Sequence, residues 1–155
     1  VSKHKLYSAI DRKRRTKIVN VVRTRTSLGK ALAGERGAFV VDSHIPEGII
    51  PKVMVRRVFV LRCHPKVLEA RLKAKKWNPN KIRENVLAEI VDSCLTSAVK
   101  YYGWRKVIQL DTSSRSIRRC VASAQTSMRR RLTRRARVDW LAKLEKQGLL
   151  DRYLK

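Results

Sequence analysis

Two stretches of the chain could do chemistry, and both concern phosphate. "SMRRRLTRRARVDW" (Ser127–Trp140) holds six arginines among the nine residues from Arg129 to Arg137, with no carboxylate between them. A guanidinium is a planar fork that meets phosphate bidentately, and so much like charge repels itself unless an anion is at hand. The second stretch is "TRTSLGKA" (Thr24–Ala31), the nearest approach to the phosphate-binding loop G-x-x-x-x-G-K-[ST]. Thr24 stands where the first glycine belongs, Ala31 where the Mg²⁺-binding hydroxyl belongs, and no strand precedes them. The match is fortuitous. Cys63-His64 lacks a second ligand pair for zinc, so no metal site is expected.

The charge is concentrated. The 155 residues carry 38 Lys+Arg against 12 Asp+Glu, a net +26. Residues 1–30 and 115–137 are the two basic blocks, the second without a single acid. Such a field gives a metabolic enzyme little, and a polyanionic partner explains it most simply through counterion release. The residues expected to meet RNA are Lys3, Lys5, Arg12, Lys13, Arg14, Arg15, Lys17, Arg23 and Arg25 in the first block. In the second they are Arg115, Arg118, Arg119, Arg129, Arg130, Arg131, Arg134, Arg135 and Arg137.

The rest of the composition is that of an ordinary globular chain, at 43% hydrophobic. Cys63, Cys94 and Cys120 leave an odd thiol and no C-x-x-C pair, which reads as reduced, part-buried cysteine. No apolar run approaches the roughly 18 residues of a membrane span. The basic opening "VSKHKLYSAI" lacks the apolar core of a secretory signal.

The elements that must carry these residues alternate. "AFVVD" (Ala38–Asp42), "RRVFVLR" (Arg56–Arg62) and "KVIQLD" (Lys106–Asp111) are apolar runs suited to buried strands of a parallel sheet. "HPKVLEARLKAKK" predicts a helix with Pro65 near its N-terminus. "NPNKIRENVLAEIVDSCLTSAVKYYG" predicts one long helix, with Asn78 as cap, Pro79 at N1 and Gly103 closing it. Its buried stripe would be Ile82, Val86, Ile90 and Cys94, widened by Leu87, Val91, Leu95 and Ala98. After "DTSS", Ser114 is expected to cap a further helix whose apolar stripe, Ile117, Val121, Ala124, Met128 and Leu132, is about 80° wide. Arg115, Arg118, Arg119, Arg129 and Arg130 take the opposite face with no acidic i, i+4 partners, which points to a partner outside the helix. Trp140, Leu141 and Leu144 are expected to pack locally, and "LEKQGLLDRYLK" to close the chain as a short helix. The fold class is therefore α/β, a parallel sheet with flanking helices and basic extensions. Its divisions are a basic segment (1–30), the α/β domain ending in the arginine-rich helix (31–137) and a helical tail (138–155).

So laid out, the chain resembles the archaeal and eukaryotic adenylate-kinase-like NTPases that assist small ribosomal subunit assembly. "YSAIDRKRRTKIVN" resembles the segment after that family's first nucleotide-binding unit. "VVDSH" looks like its D-x-H form of the Walker B strand, so Asp42 and His44 match its metal and water positions. "VFVLRCHPKVLEARLKAKKWNPNKIRENVLAEI" resembles its strand, helix and short lid, with Lys76-Trp77 at a lid arginine position and Arg71 and Arg83 retained. "VDWL" is similar to an archaeal C-terminal signature. The family's opening strand and phosphate loop have no counterpart here. By resemblance a central strand belongs between those at 38–42 and 56–62, so either these two pair directly or upstream residues supply it.

Without the loop, Asp42 and His44 are expected to be vestigial. The resemblance then implies a truncated, non-catalytic relative, an rRNA-binding structural component of the cytoplasmic ribosome. Its expected partners are rRNA and neighbouring ribosomal proteins, with no cofactor and no small-molecule substrate, and its basic ends would order only on binding. Two alternatives stand beside this one. One is an active ATPase or adenylate kinase of small-subunit assembly whose phosphate loop lies upstream. The other is a chromatin protein sharing only the charge. Trp77, at the lid tip, is the tryptophan most exposed to a stacking role.

Overall fold

The chain folds as two compact units, Val1–Val55 and Arg56–Lys155. The computed structural model describes residues 6–12, 16–33, 36–43, 48–129 and 138–154.

In the first unit β1 (Tyr7–Asp11) pairs antiparallel with β2 (Thr16–Val19), with an irregular register between Tyr7 and Ala9. Helix α1 (Val21–Leu32) follows at once because Asn20 caps it: its side chain accepts from the Arg23 N–H at 2.9 Å. Gly48, at φ 78°, turns the chain back against α1, where Arg25 Nε donates to its carbonyl. A Cβ there would meet Val21 Cγ1 at 3.0 Å. The basic N-terminal segment, expected to order only on a partner, thus has a hairpin and a helix of its own. The expected strand at Ala38–Asp42 forms no ladder among the described residues, and Val40 is 96% exposed. An apolar run becomes a strand only when a neighbour takes its backbone hydrogen bonds.

The second unit is the α/β part. β3 (Val58–Arg62) leads through α2 (Pro65–Ala74), α3 (Pro79–Ile90) and α4 (Ser93–Tyr102) to β4 (Val107–Asp111). The two strands run parallel in register, from Val58 opposite Val107 to Arg62 opposite Asp111. Val107, Ile108 and Leu110 are all buried, the two-faced burial that a parallel strand requires. α4 packs on both strands through the side of the helix bearing buried Leu95, Ala98 and Tyr102. A second cluster joins Leu72, Ile82, Val86 and Ile90 to Leu144 of α6 (Trp140–Lys146) and Tyr153 of α7 (Asp151–Leu154). The expected parallel sheet flanked by helices is present.

The long helix is broken. α3 keeps the Asn78 cap, whose side chain accepts from Asn80 N–H, and α4 ends at Gly103, but Asp92 takes a left-handed φ of 57° between them. Ile82, Val86 and Ile90 are buried as expected, while Val91 and Cys94 are exposed. The break has a tertiary cause: it aims the Asp92 carboxylate at the buried Arg62 guanidinium. In the turn between α2 and α3, Lys76 sits at φ 55°, the place after a helix that glycine usually fills.

α5 (Ile117–Arg129) lies beside β4. Ser116 caps it, its hydroxyl accepting from Arg119 N–H at 3.4 Å and its carbonyl from Cys120 N–H at 3.0 Å, in place of the expected Ser114. None of its residues is buried; Ile117 is 84% and Val121 49% exposed. Periodicity says which face could be buried, and not whether anything is there to bury it. The abrupt stop of the arginine run at "VDW" has a local reason. Asp139 caps α6, accepting from Ala142 N–H at 3.0 Å, and Trp140 enters the core, whereas Leu141 stays exposed.

Candidate functional site at the carboxyl ends of the parallel strands

In an open α/β sheet, ligands bind in the crevice outside the carboxyl ends of the strands. β3 and β4 end level with one another, and the residues that follow them interlock. The Thr112 N–H extends the ladder to the Arg62 carbonyl at 2.8 Å, and its hydroxyl donates to the same oxygen at 2.9 Å. Asp111 accepts from the Ser113 N–H at 2.9 Å and from the Ser113 hydroxyl. That hydroxyl in turn accepts from the His64 N–H at 2.7 Å. Arg71, reaching from α2, donates to the Thr112 carbonyl at 2.8 Å and the Ser113 carbonyl at 3.3 Å. Its other amino group lies 3.3 Å from Cys63 Sγ. The result is a rim of hydroxyls, one carboxylate and one partly solvated guanidinium, fixed by backbone.

Two groups in the rim are electrically quiet. Burial pushes the Cys63 thiol up despite the neighbouring Arg71 cation, so it is no thiolate nucleophile. Burial, followed by the Lys143 ammonium, holds His64 below the ordinary histidine value. Its ring meets Trp140 edge-on at 5.1 Å.

Beneath the rim lies a buried polar node. Arg62 is 1% exposed. Its Nε donates to Glu89 Oε1 at 2.8 Å, Nη1 to Gln109 at 3.0 Å and the Val138 carbonyl at 3.5 Å, and Nη2 to the Glu89 carbonyl at 3.2 Å and to Asp92. All five N–H groups are therefore satisfied. Glu89 Oε1 also accepts from Cys63 N–H at 3.0 Å and Trp140 Nε1–H at 2.7 Å. One carboxylate ties strand end, helix and C-terminal segment together.

The residues expected to bind RNA are not in this rim. Arg12, Lys17, Arg23 and Arg25 are exposed in the first unit, Lys17 resting over the Tyr7 ring at 4.8 Å. Arg115, Arg118, Arg119 and Arg129 are exposed on α5, where Arg115 and Arg119 edge a shallow groove with Ser123 and Ser127. Asp42 is exposed outside any strand. Lys3, Lys5, Lys13, Arg14, Arg15, His44, Arg130, Arg131, Arg134, Arg135 and Arg137 lie outside the described residues. Among the described residues no three acidic, histidine or cysteine side chains could hold a metal ion, and no helix is long and apolar enough to cross a membrane. Sequence reasoning noticed Arg71 but missed Asp111, Ser113, His64 and the Glu89 node. The signal for the first two was a D-T-S run directly after a predicted strand. Nothing local marks the node.

A family model described as an AAA domain matches residues 1–92. Three archaeal relatives share the name "Putative adenylate kinase". That of Methanocaldococcus jannaschii is 27% identical over 143 residues, covering 92% of this chain and 75% of the relative. That of Archaeoglobus fulgidus is 32% identical, covering 68% and 59%, and that of Pyrobaculum aerophilum 34% identical, covering 72% and 55%. The chain thus spans little more than half the length of the latter two. These names overturn the expectation of a non-catalytic ribosomal component that takes rRNA and ribosomal proteins as partners and has no small-molecule substrate. The physical reason is that net charge measures attraction to phosphate in general, and nucleotides and nucleic acids present the same group. The chain belongs to the AAA domain family and is adenylate-kinase-like.

Proposed function

We propose that this chain is part of an adenylate kinase, which moves the γ-phosphoryl group of Mg·ATP to AMP and releases two ADP. The observation that carries the reading is the run of relatives named for that activity, whose alignment takes in most of this chain. The geometry supports it, because the rim of Asp111, Thr112, Ser113, His64 and Arg71 lies where such sheets take nucleotides. In this reading the strand-end hydroxyls and carbonyls hold the nucleotide's polar edge, and Arg71 offers phosphate a guanidinium already fixed at the strand end. Phosphoryl transfer also needs a phosphate cradle. No stretch of the 155 residues spells one, so in this reading the cradle comes from sequence outside them.

The test is ADP formation by the whole protein from ATP, AMP and Mg²⁺, followed by chromatography. Two ADP should appear per ATP consumed, only with AMP present. Arg71→Ala should lower kcat/KM about 10- to 100-fold, the range for a lost charge-assisted contact of about 1.5–3 kcal/mol. ATP loss independent of AMP, or no ADP from a folded whole protein, overturns the reading.

A further inference from the structure

A cavity of 380 Å³ opens between α2, α3 and α7, and none of the rim residues lines it. Its volume falls within the range of about 300–1,000 Å³ typical of small-molecule sites. Ile82, Val86 and Leu87 give it an apolar side, and Trp77 an aromatic one. Lys73, Arg83 and Arg152 bring three cations against one carboxylate, Glu69. Lys73 Nζ at 2.6 Å and Arg152 Nη2 at 3.2 Å both already share that carboxylate. The lining therefore keeps an excess of positive charge around an apolar space. Tyr153 also lines it through its ring, its hydroxyl being buried against the Glu69 carboxylate.

We propose that this cavity binds a small planar aromatic anion, one or two fused rings bearing a carboxylate. The ring lies beside Trp77 against the Ile82, Val86 and Leu87 side, and the carboxylate lies toward Arg83 and Arg152. Charge complementarity selects the anion, and the volume holds a bicyclic ring but not a peptide helix. The site is separate from the nucleotide rim and does not depend on the kinase reading.

The probe is 2-naphthoate, titrated into the full chain while tryptophan fluorescence is followed. Trp77→Phe separates the Trp77 signal from those of Trp104 and Trp140. Saturable quenching with a Kd below about 1 mM is expected, with the neutral isostere 2-naphthamide at least about 10-fold weaker. Arg83→Gln should weaken naphthoate by about 3- to 10-fold. Arg152→Gln should weaken it by a similar factor, with Glu69 still held by Lys73. Equal binding of acid and amide overturns the proposal. So does quenching that does not saturate up to about 5 mM, or unchanged affinity in folded Arg83→Gln and Arg152→Gln.

Discussion

Glu89 is the side chain on which the second unit should depend most visibly. Its Oε1 accepts from Arg62 Nε, Cys63 N and Trp140 Nε1 at 2.8, 3.0 and 2.7 Å. Glu89→Gln keeps an acceptor oxygen in place and removes only charge. Arg62 then retains Asp92 as its counterion, and the loss should be about 1–2 kcal/mol, the difference between charge-assisted and neutral hydrogen bonds. Glu89→Ala leaves three buried donors without an acceptor and one cation half-compensated, which should cost about 3–5 kcal/mol. Against a total stability of about 5–15 kcal/mol, the alanine variant is marginal. At about 2–4 °C per kcal/mol for a chain of this size, it should melt roughly 6–20 °C lower. Urea unfolding followed by tryptophan emission measures both variants, and Trp140 should shift to longer wavelength in Glu89→Ala because its N–H loses the Glu89 acceptor. If glutamine and alanine cost the same, or both fall within about 0.5 kcal/mol of the parent, the node is not the fastening described here.

Three further outcomes follow from local geometry. Lys76 holds a left-handed φ of 55° after α2, so Lys76→Gly should raise stability by about 0.5–1 kcal/mol, and a lower urea midpoint would refute this. His64 is held below the ordinary histidine value by burial and then by Lys143. The unfolded chain therefore takes up a proton first as pH falls through about 6.5. The stabilising effect is complete above that value and is lost on the way down to the folded value, and His64→Gln should flatten the stability–pH curve in that window alone. Among the thiols, Cys94 is exposed and Cys63 buried with its thiol pushed up. A disulfide reagent at neutral pH should therefore label Cys94 first and Cys63 only on unfolding, and equal rates would contradict the packing.

The positions of β3, α2 and β4 were legible because continuous apolar runs and a proline at a helix start are written locally, and local propensity decides them. The caps at Asn78 and Gly103 were legible for the same reason. What failed depended on neighbours. The 38–42 run has the composition of a strand but no ladder partner among the described residues, and the α5 stripe has the right period but none of its described residues is buried. The rim was half visible, since Arg71 stood out while Asp111 and Ser113 looked like an ordinary turn after a strand.

The sequence by itself determined that this is a strongly basic α/β chain, where most of its second-unit elements start, and which family it resembles. Those properties are sums or short-range patterns, readable without knowing what touches what. Only the tertiary structure decided that Asp92 breaks the long helix to meet Arg62, and that Glu89 gathers donors from positions 62, 63 and 140. Only it decided that Glu69, Trp77, Arg83 and Tyr153 enclose one cavity. A buried charge is tolerable only beside its partners, and which residues become partners is settled by packing elements far apart in the chain.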